Sequence, residues 1–515
     1  MNRTKRATLN VSITLITQIV SLILKFGVQS AFIYSLSKEY LGLNGLFSNV
    51  LSFLNFADLG IGTAITAALY KPIAEHDELM INKLMVAYRK IYMYIASGLI
   101  VIGVLVSFFV NLLINDSNFD TLQVAIWFIL YMLGTAATYF SAYKRSFLMA
   151  SQLTYISVLN DFTFKFMQQV AQIVVLFMFH NYTLFIVLQL GFALASNIQL
   201  NWYVGRRFGN MFVRVEDNKK AVSETFEAIK KNVFGAISSK IGSIIVFGTD
   251  NILISLFLGL VSVAKYSNYM LVVNSLNFVF SQVLNSLVGG FGNLNSTADA
   301  EHRKDVLYRV SYLNAILNVI LTIGLGAGLS GFIYIWAGES FVFSNTITFF
   351  LVLNFSVNQL RYSPTNFISG FGLFWPLRWK SLIEAGVNLI ASLILLVSFK
   401  LGIVAVIAGT LISNLVVNLW WEPYILYKWN LRTGYKNYMI RYIFYLLFST
   451  LALMWSLFIN NVFHPTTLIA LVFTEVLAVS VGLIVFILIT HKMSEFGYVV
   501  TLVNKIIRGR KKCMI

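Results

Sequence analysis

The chain has little charge, little proline and almost no cysteine. Only 11% of its 515 residues are charged, whereas 58% are hydrophobic. A soluble chain of this length carries about twice that share of charge. A lone cysteine, Cys513, excludes an intrachain disulfide. The five prolines (Pro72, Pro364, Pro376, Pro423 and Pro465) fall at the ends of predicted spans or in connections, where they break no interior helix hydrogen bond. The five histidines (His76, His180, His302, His464 and His491) lie near predicted helix ends, and no metal-ligand spacing links them. There is no Ser-His-Asp set and no nucleotide loop, so nothing points to an enzyme, a cofactor or a metal. The ten-residue alternation of an outer-membrane barrel is missing, and no connection is long enough for a soluble domain.

Long apolar runs are what the chain has instead. Fourteen can be drawn, over 9–36, 43–70, 91–114, 122–143, 153–179, 183–204, 232–259, 265–292, 311–336, 344–362, 375–399, 402–423, 438–460 and 467–490. Each approaches the length needed to cross a hydrocarbon core about 30 Å thick. The basic, then apolar start "MNRTKRATLNVSITLITQIV" lacks a small-residue cleavage site and reads as a retained first span. The net charge of +17 follows membrane topology rather than nucleic acid, because Lys and Arg crowd alternate connections. One cluster holds Arg206, Arg207, Arg214, Lys219, Lys220, Lys230 and Lys231; another holds Lys505, Arg508, Arg510, Lys511 and Lys512. The opposite side holds Lys38, Lys265 and Lys400, and the connections 115–120, 180–183 and 460–466 carry neither Lys nor Arg. Both termini are therefore expected in the cytoplasm.

The spans are not uniformly apolar. On a helical wheel Asn10, Thr14, Gln18, Ser21, Lys25 and Gln29 fall within about 100° of arc. Asn44, Ser48, Asn55, Asp58, Gly62 and Thr66 share one face of the second span, and Thr154, Asp161, Lys165, Gln168 and Gln172 share one face of the fifth. The tenth adds Asn354, Asn358 and Arg361, and the eighth a neutral stripe of Asn268, Ser275, Gln282, Ser286 and Asn293. A charge facing lipid at mid-membrane costs at least about 2.5–3.5 kcal/mol. Polar packing between helices explains any one of these residues, and Asp161 with Lys165 could be a simple i,i+4 pair. Several full-length polar faces call for a water-filled cavity. Lys25 reads as an anion site for phosphate, as a partner of Asp58, or as both; Glu384 and Glu475 read as helix-packing or near-interface carboxylates.

A faint repeat supports two related halves: shifted by 222 residues, "SFLNFA" at 52–57 lies on "NSLNFV" at 274–279. The stretch "YLGLNGLFSNVLSFLNFADLGIGTAITAALYKPIAEHD" at 40–77, with Asp58, Leu59, Gly60, Ile61 and Gly62 followed by a small-residue run and a basic loop, resembles bacterial polysaccharide transporters. These belong to the multidrug, oligosaccharidyl-lipid and polysaccharide exporter superfamily. The resemblance implies an all-α polytopic membrane protein of about 14 transmembrane helices, with two six-helix lobes around a central cavity and a terminal helix pair. The expected divisions are an N-terminal lobe at 1–204, a basic cytoplasmic connection at 205–231, a C-terminal lobe at 232–423, a terminal pair at 424–490 and a basic tail at 491–515.

The function it implies is flipping of a polyprenyl-diphosphate-linked oligosaccharide to the outer leaflet by alternating access, for capsule, exopolysaccharide or other surface glycan. Such a protein sits in the bacterial inner membrane as a monomer among membrane lipids, beside the glycan polymerase and glycosyltransferases of its pathway, without nucleic acid. The expected substrate contacts are Gln18, Lys25, Gln29, Asn55, Asp58, Asp161, Lys165, Gln168, Gln172, Asn354, Asn358 and Arg361, with Asp58 and Asp161 as coupling-ion candidates. Two rivals remain: a cation-coupled drug or small-solute exporter of the same superfamily, and a membrane glycan polymerase or ligase. The short outer loops, nearly free of Arg and His, count against the last.

Overall fold

A computed structural model describes residues 3–54, 69, 72–73, 75–114, 119–209, 248–285, 287–373 and 375–501; side chains at 3–12, 15, 53–54, 283, 289 and 296 lie outside the description. Every regular element among the described residues is helical. In chain order they are α1 (Arg3–Ser35), α2 (Lys38–Leu54), α3 (Glu78–Phe109), α4 (Thr121–Tyr139), α5 (Ala142–Ala150), α6 (Thr154–Phe179) and α7 (Tyr182–Phe208). Then come α8 (Gly248–Leu258), α9 (Leu260–Asn285), α10 (Val288–Thr297), α11 (Ala300–Ala337), α12 (Asn345–Gly370) and α13 (Lys380–Val397). The last are α14 (Ile403–Ser413), α15 (Leu419–Leu426), α16 (Lys436–Phe463) and α17 (Leu468–Thr490).

Among the described residues, ten helical segments are long and apolar enough to cross a membrane. Helices α9 and α12 have the length, at 26 residues each, but carry amide-rich faces that lower their mean hydropathy. The second and seventh expected spans fall largely on residues outside the described set.

Helix ends depart from the apolar runs where a helix continues past the membrane. The third expected span begins at 91, yet α3 starts at Glu78, where the Asp77 carboxylate accepts from the Met80 N–H. The ninth begins at 311, yet α11 starts at Ala300 under an Asp299 cap on His302 N–H. Hydropathy marks the solvent boundary, whereas side-chain caps mark the helix start. The eighth expected span is two helices, α9 ending at Asn285 and α10 beginning at Val288. His180 and His464 end α6 and α16 in the left-handed conformation.

The chain forms two compact units, Met1–Ser267 and Asn268–Ile515. In the first, an aromatic cluster of Phe32, Tyr40, Trp127, Tyr182 and Phe185 joins α1, α2, α4 and α7. The Trp127 indole N–H donates to Thr183 Oγ1 at 2.8 Å. Helix α2 meets the start of α9 at Gly42, where a Cβ would collide with the Leu260 carbonyl. In the second unit α11 is the hub, packed against α12, α16 and α17. Polar side chains tie it in: Asn318 Nδ2 donates at 2.9 Å to both Ser356 and Ser449, and Tyr312 shares a 2.7 Å bond with Thr490. Lipid exerts no hydrophobic drive between helices, so such bonds and close packing hold the bundle.

Two prolines expected at span ends lie inside helices, Pro364 in α12 and Pro423 in α15. Pro364 cannot donate to the Leu360 carbonyl one turn back. Asn314 of α11 supplies the missing donor, its Nδ2 reaching Leu360 O at 3.3 Å and Gln359 O at 2.8 Å. Asn314→Ala should therefore lower stability by about 1–3 kcal/mol, measured by thermal unfolding in detergent. Adding Pro364→Ala, which returns a backbone N–H, should shrink that cost; an undiminished loss in the double variant contradicts the compensation.

Candidate functional site

The polar stripe of α1 lies opposite the face it turns to lipid. Ile16, Ile19 and Ile23 are each more than half exposed, and they sit about 120–180° around the helix from Lys25. Gln18 and Lys25 are exposed and Gln29 half-buried, all within about 40° of Lys25 itself. Helix α6 repeats the arrangement. Its exposed apolar row (Phe166, Val170, Val174, Phe177) lies about 100–180° from Lys165. Along the polar side, Gln172 is buried with its Nε2 donating to Phe185 O at 3.0 Å, and Gln168 donates to Gln172 Oε1 at 3.3 Å. Lys165 follows, exposed, one turn further along.

The two helices pack together; a Cβ on Gly27 would meet Ile173 Cδ1 at 3.3 Å. Lys165 is close enough to feel the charges of both Lys25 and Asp161. Among the described residues, neither forms a hydrogen bond or an ion pair. Lys25 is about 15 Å from the Ser35 end of α1 and Lys165 about 17 Å from the Thr154 end of α6. Two cations held by no ion pair therefore stand well inside the span, on faces turned away from the apolar rows, with Asp161 near enough to act on Lys165 through space while bonded to Arg145.

Asp161 takes a different partner from the one its spacing suggests. It makes no ion pair with Lys165 within the described set. Arg145 of α5 grips it bidentately, Nη2 to Oδ1 at 2.7 Å and Nε to Oδ2 at 3.1 Å. Arg145 also donates to Asn197 Oδ1 at 2.9 Å, while Ser196 Oγ donates to Asp161 Oδ1 at 3.0 Å and Asn160 Nδ2 to Ser196 Oγ at 2.8 Å. This clip ties α5, α6 and α7. Asn55 and Asp58 lie outside the described residues.

The second unit holds a charge-balanced cluster. Arg361 of α12 donates to Glu422 of α15 through Nη2 at 2.7 Å and Nε at 3.2 Å. Lys380 of α13 donates to Glu422 Oε1 at 2.8 Å and lies 3.2 Å from Glu384 Oε2. Glu384 lies 3.7 Å from Arg361 Nη1. Amides fill the remaining valences: Asn358 and Asn414 accept from Arg361 at 3.0 and 2.5 Å, Asn418 donates to Glu384 at 2.6 Å, and Asn414 donates to Asn354 at 3.0 Å. Glu422 is 1% exposed. Asn414 and Asn418 belong to a π-helical stretch, Asn414–Asn418, between α14 and α15. Its wider turn offsets the drift that two successive steps of four residues accumulate on a 3.6-residue helix, and so keeps Asn414, Asn418 and Glu422 on one side.

Arg361, Asn354 and Asn358 are thus brought together, with their polar atoms committed to one another and to Glu422 and Asn414. Sequence reasoning singled out neither Arg145, Lys380 nor Glu422. The signal for Glu422 was present: an acid inside the apolar run "LWWEPYIL" requires a counter-charge.

The two clusters should behave oppositely on mutation. Glu422→Gln strands two buried cations with one acid and should cost about 3–5 kcal/mol. Lys25→Ala and Lys165→Ala remove charges that no hydrogen bond or ion pair holds, and should leave the unfolding temperature unchanged or raised. Equal losses in all three would contradict the assignment.

No family model matches the sequence, and no curated protein matches it. Solved structures do. The lipid II flippase MurJ in an inward closed conformation superposes with a TM-score of 0.63 at 13% identity, over 93% of this chain and 99% of that one. An inward-facing multidrug resistance MATE family transporter of the MOP superfamily gives 0.56 at 14% identity, over 81% of this chain and 98% of its own. A MATE transporter from Vibrio cholerae, VcmN, gives 0.51 at 14%, over 83% and 99%. The likeness is one of fold: this chain is built on the helical membrane-protein plan that the MurJ flippase and the MATE transporters share.

Proposed function

We propose that the chain is a transporter that flips a polyprenyl-diphosphate-linked oligosaccharide from the cytoplasmic to the outer leaflet by alternating access, for capsule, exopolysaccharide or other surface glycan. Its place is the bacterial cell membrane, with both termini in the cytoplasm. The observation that carries this reading is the pair Lys25 and Lys165, cations held by no ion pair on the polar stripes of α1 and α6, with Asp161 bonded to Arg145 instead. A diphosphate supplies the missing negative charge, and each Lys meets it as a point charge. Gln18, Gln29 and Gln168 offer amides of the kind a sugar head can bond along a hydrated route, with buried Gln172 anchoring Gln168. The prenyl tail stays in lipid. The fold is compatible, because one protein that shares it is a lipid II flippase.

A cation-coupled exporter of drugs or small solutes is the second reading, and the MATE likeness favours it. Its strongest support in this chain is Asp250, which accepts from Tyr266 at 3.0 Å while its other oxygen has no hydrogen-bond partner among the described residues. Against it, Asp161, Glu384 and Glu422 are already neutralised by Arg145, Arg361 and Lys380. Two unpaired lysines also repel a cationic drug.

Flipping of a fluorescent polyprenyl-diphosphate glycan in proteoliposomes tests the proposal. A charge-assisted hydrogen bond is worth about 1.5–3 kcal/mol, so Lys25→Ala and Lys165→Ala should each weaken substrate engagement by about 10- to 100-fold. Wild-type flipping in both variants, or export of cationic dyes in place of glycan, contradicts it. Asp58→Asn separates coupling from pairing: if flipping persists, and the double variant with Lys25→Ala is no worse than Lys25→Ala alone, Asp58 is neither coupler nor essential partner.

A further inference from the structure

Helix α17 is the most apolar of the ten segments and carries one ionisable side chain, Glu475. At 1.5 Å per residue Glu475 lies about 10 Å inside the Leu468 end. It sits where the buried face of α17 (Leu471, Thr474, Ala478) meets the exposed one (Val472, Val476). Its Oε1 rests on the backbone of α11 at Gly328, so closely that a Cβ there would collide with it. A side chain at 328 would have to displace the carboxyl from this position.

The hydroxyl and amide donors of the neighbouring turns are committed elsewhere, and the buried Trp455 indole N–H of α16 makes no hydrogen bond to Glu475. Thr474 Oγ1 donates to Ala470 O at 2.7 Å, Ser456 Oγ to Leu453 O at 2.8 Å, and Asn460 Nδ2 to Ala327 O at 3.0 Å. Ser330 and Thr348 bond each other at 3.1 Å. Residues 323–331 of α11 and 449–460 of α16, the stretches that pack around this level, contain no Asp, Glu, Lys, Arg, His or Tyr. The next titratable groups on those helices are Tyr334 and Tyr445; α17 itself has no other, and it is flanked by His464 at the α16 cap before its start and His491 beyond its end. Among the described residues Glu475 has neither a cation nor a hydrogen-bond donor. Among the other described membrane acids, Asp161, Glu384 and Glu422 each face Arg or Lys, and Asp250 accepts from Tyr266.

We propose that Glu475 is a proton-binding site: a carboxylic acid that keeps its proton at neutral pH inside the bilayer. An ionised carboxylate at this position has no counter-charge and no donor to receive, whereas the acid is neutral and carries its own O–H. The ligand is a single proton, and it leaves only when the group meets water or a cation. The inference depends on the membrane fold and not on which substrate is carried.

The test uses the full chain in phosphatidylcholine nanodiscs at neutral pH. The infrared difference between wild type and Glu475→Gln should show loss of a carboxylic-acid C=O stretch; loss of a carboxylate band instead overturns the proposal. A second measurement needs no variant. Dicyclohexylcarbodiimide enters lipid and reacts with protonated carboxyls: the acid proton passes to a carbodiimide nitrogen, the carboxylate oxygen bonds the central carbon, and the O-acylisourea rearranges to a stable N-acylurea. Peptide mass spectrometry should find that adduct on Glu475, forming more slowly as pH rises. No adduct there, or a rate independent of pH, overturns the proposal. Neither readout involves transport, so this site can fail while the transport reading stands, and the reverse.

Discussion

A charge inside a bilayer must be paired, hydrated or neutralised, and this constraint organises the molecule. Leaving it bare to lipid costs at least about 2.5–3.5 kcal/mol per residue, a large share of the 5–15 kcal/mol that separates most folded chains from unfolded ones. The described spans use all three solutions. Arg145 with Asp161, and Arg361 and Lys380 with Glu384 and Glu422, are paired. Lys25 and Lys165 stand on faces turned from lipid, where water or an anion can meet them. Glu475 is assigned to the third.

The paired clusters and the open lysines divide the work. Buried ion pairs add little net stability over apolar packing, but removing one partner is severe, so they fix which helices meet. Arg361, Lys380, Glu384 and Glu422 join α12, α13 and α15 at one point, with the π-helical Asn414–Asn418 segment aligning the amides between them. The stripe on α1 and α6 has the opposite character. Gln168 and Gln172 bond each other and the backbone of Phe185, and the two lysines make no hydrogen bond or ion pair in the described set. Charge-balanced packing in one place and cations held by no ion pair in another suit the anion transport proposed.

The spans were legible because lipid demands long apolar runs, and the polar faces because a charge within such a run stands out. That is why Lys25, Asp161, Lys165 and Arg361 could be named from composition and spacing. Their partners could not. Arg145 looks like one more cytoplasmic-side cation under the positive-inside pattern, and Glu422 lies 61 residues from Arg361 on a different helix. Asp161 had Lys165 one turn away, yet a bidentate Arg145 binds its planar carboxylate better than a point charge can. The interior position of Pro364 was hidden for a related reason: its missing hydrogen bond is supplied by Asn314, distant in sequence. Helix starts at Glu78 and Ala300 escaped because hydropathy reports the membrane, not the helix.

The central claim is that the stripes of α1 and α6 face water within the membrane. Replacing Cys513 by Ser and introducing single cysteines (Gln18→Cys, Lys25→Cys, Lys165→Cys and Gln168→Cys on the stripes; Ile23→Cys and Val170→Cys on the apolar rows) lets a charged, membrane-impermeant methanethiosulfonate report hydration position by position. The account predicts rapid modification along the stripes and none on the apolar rows. Protected stripe positions, or reaction at Ile23→Cys and Val170→Cys instead, would contradict it.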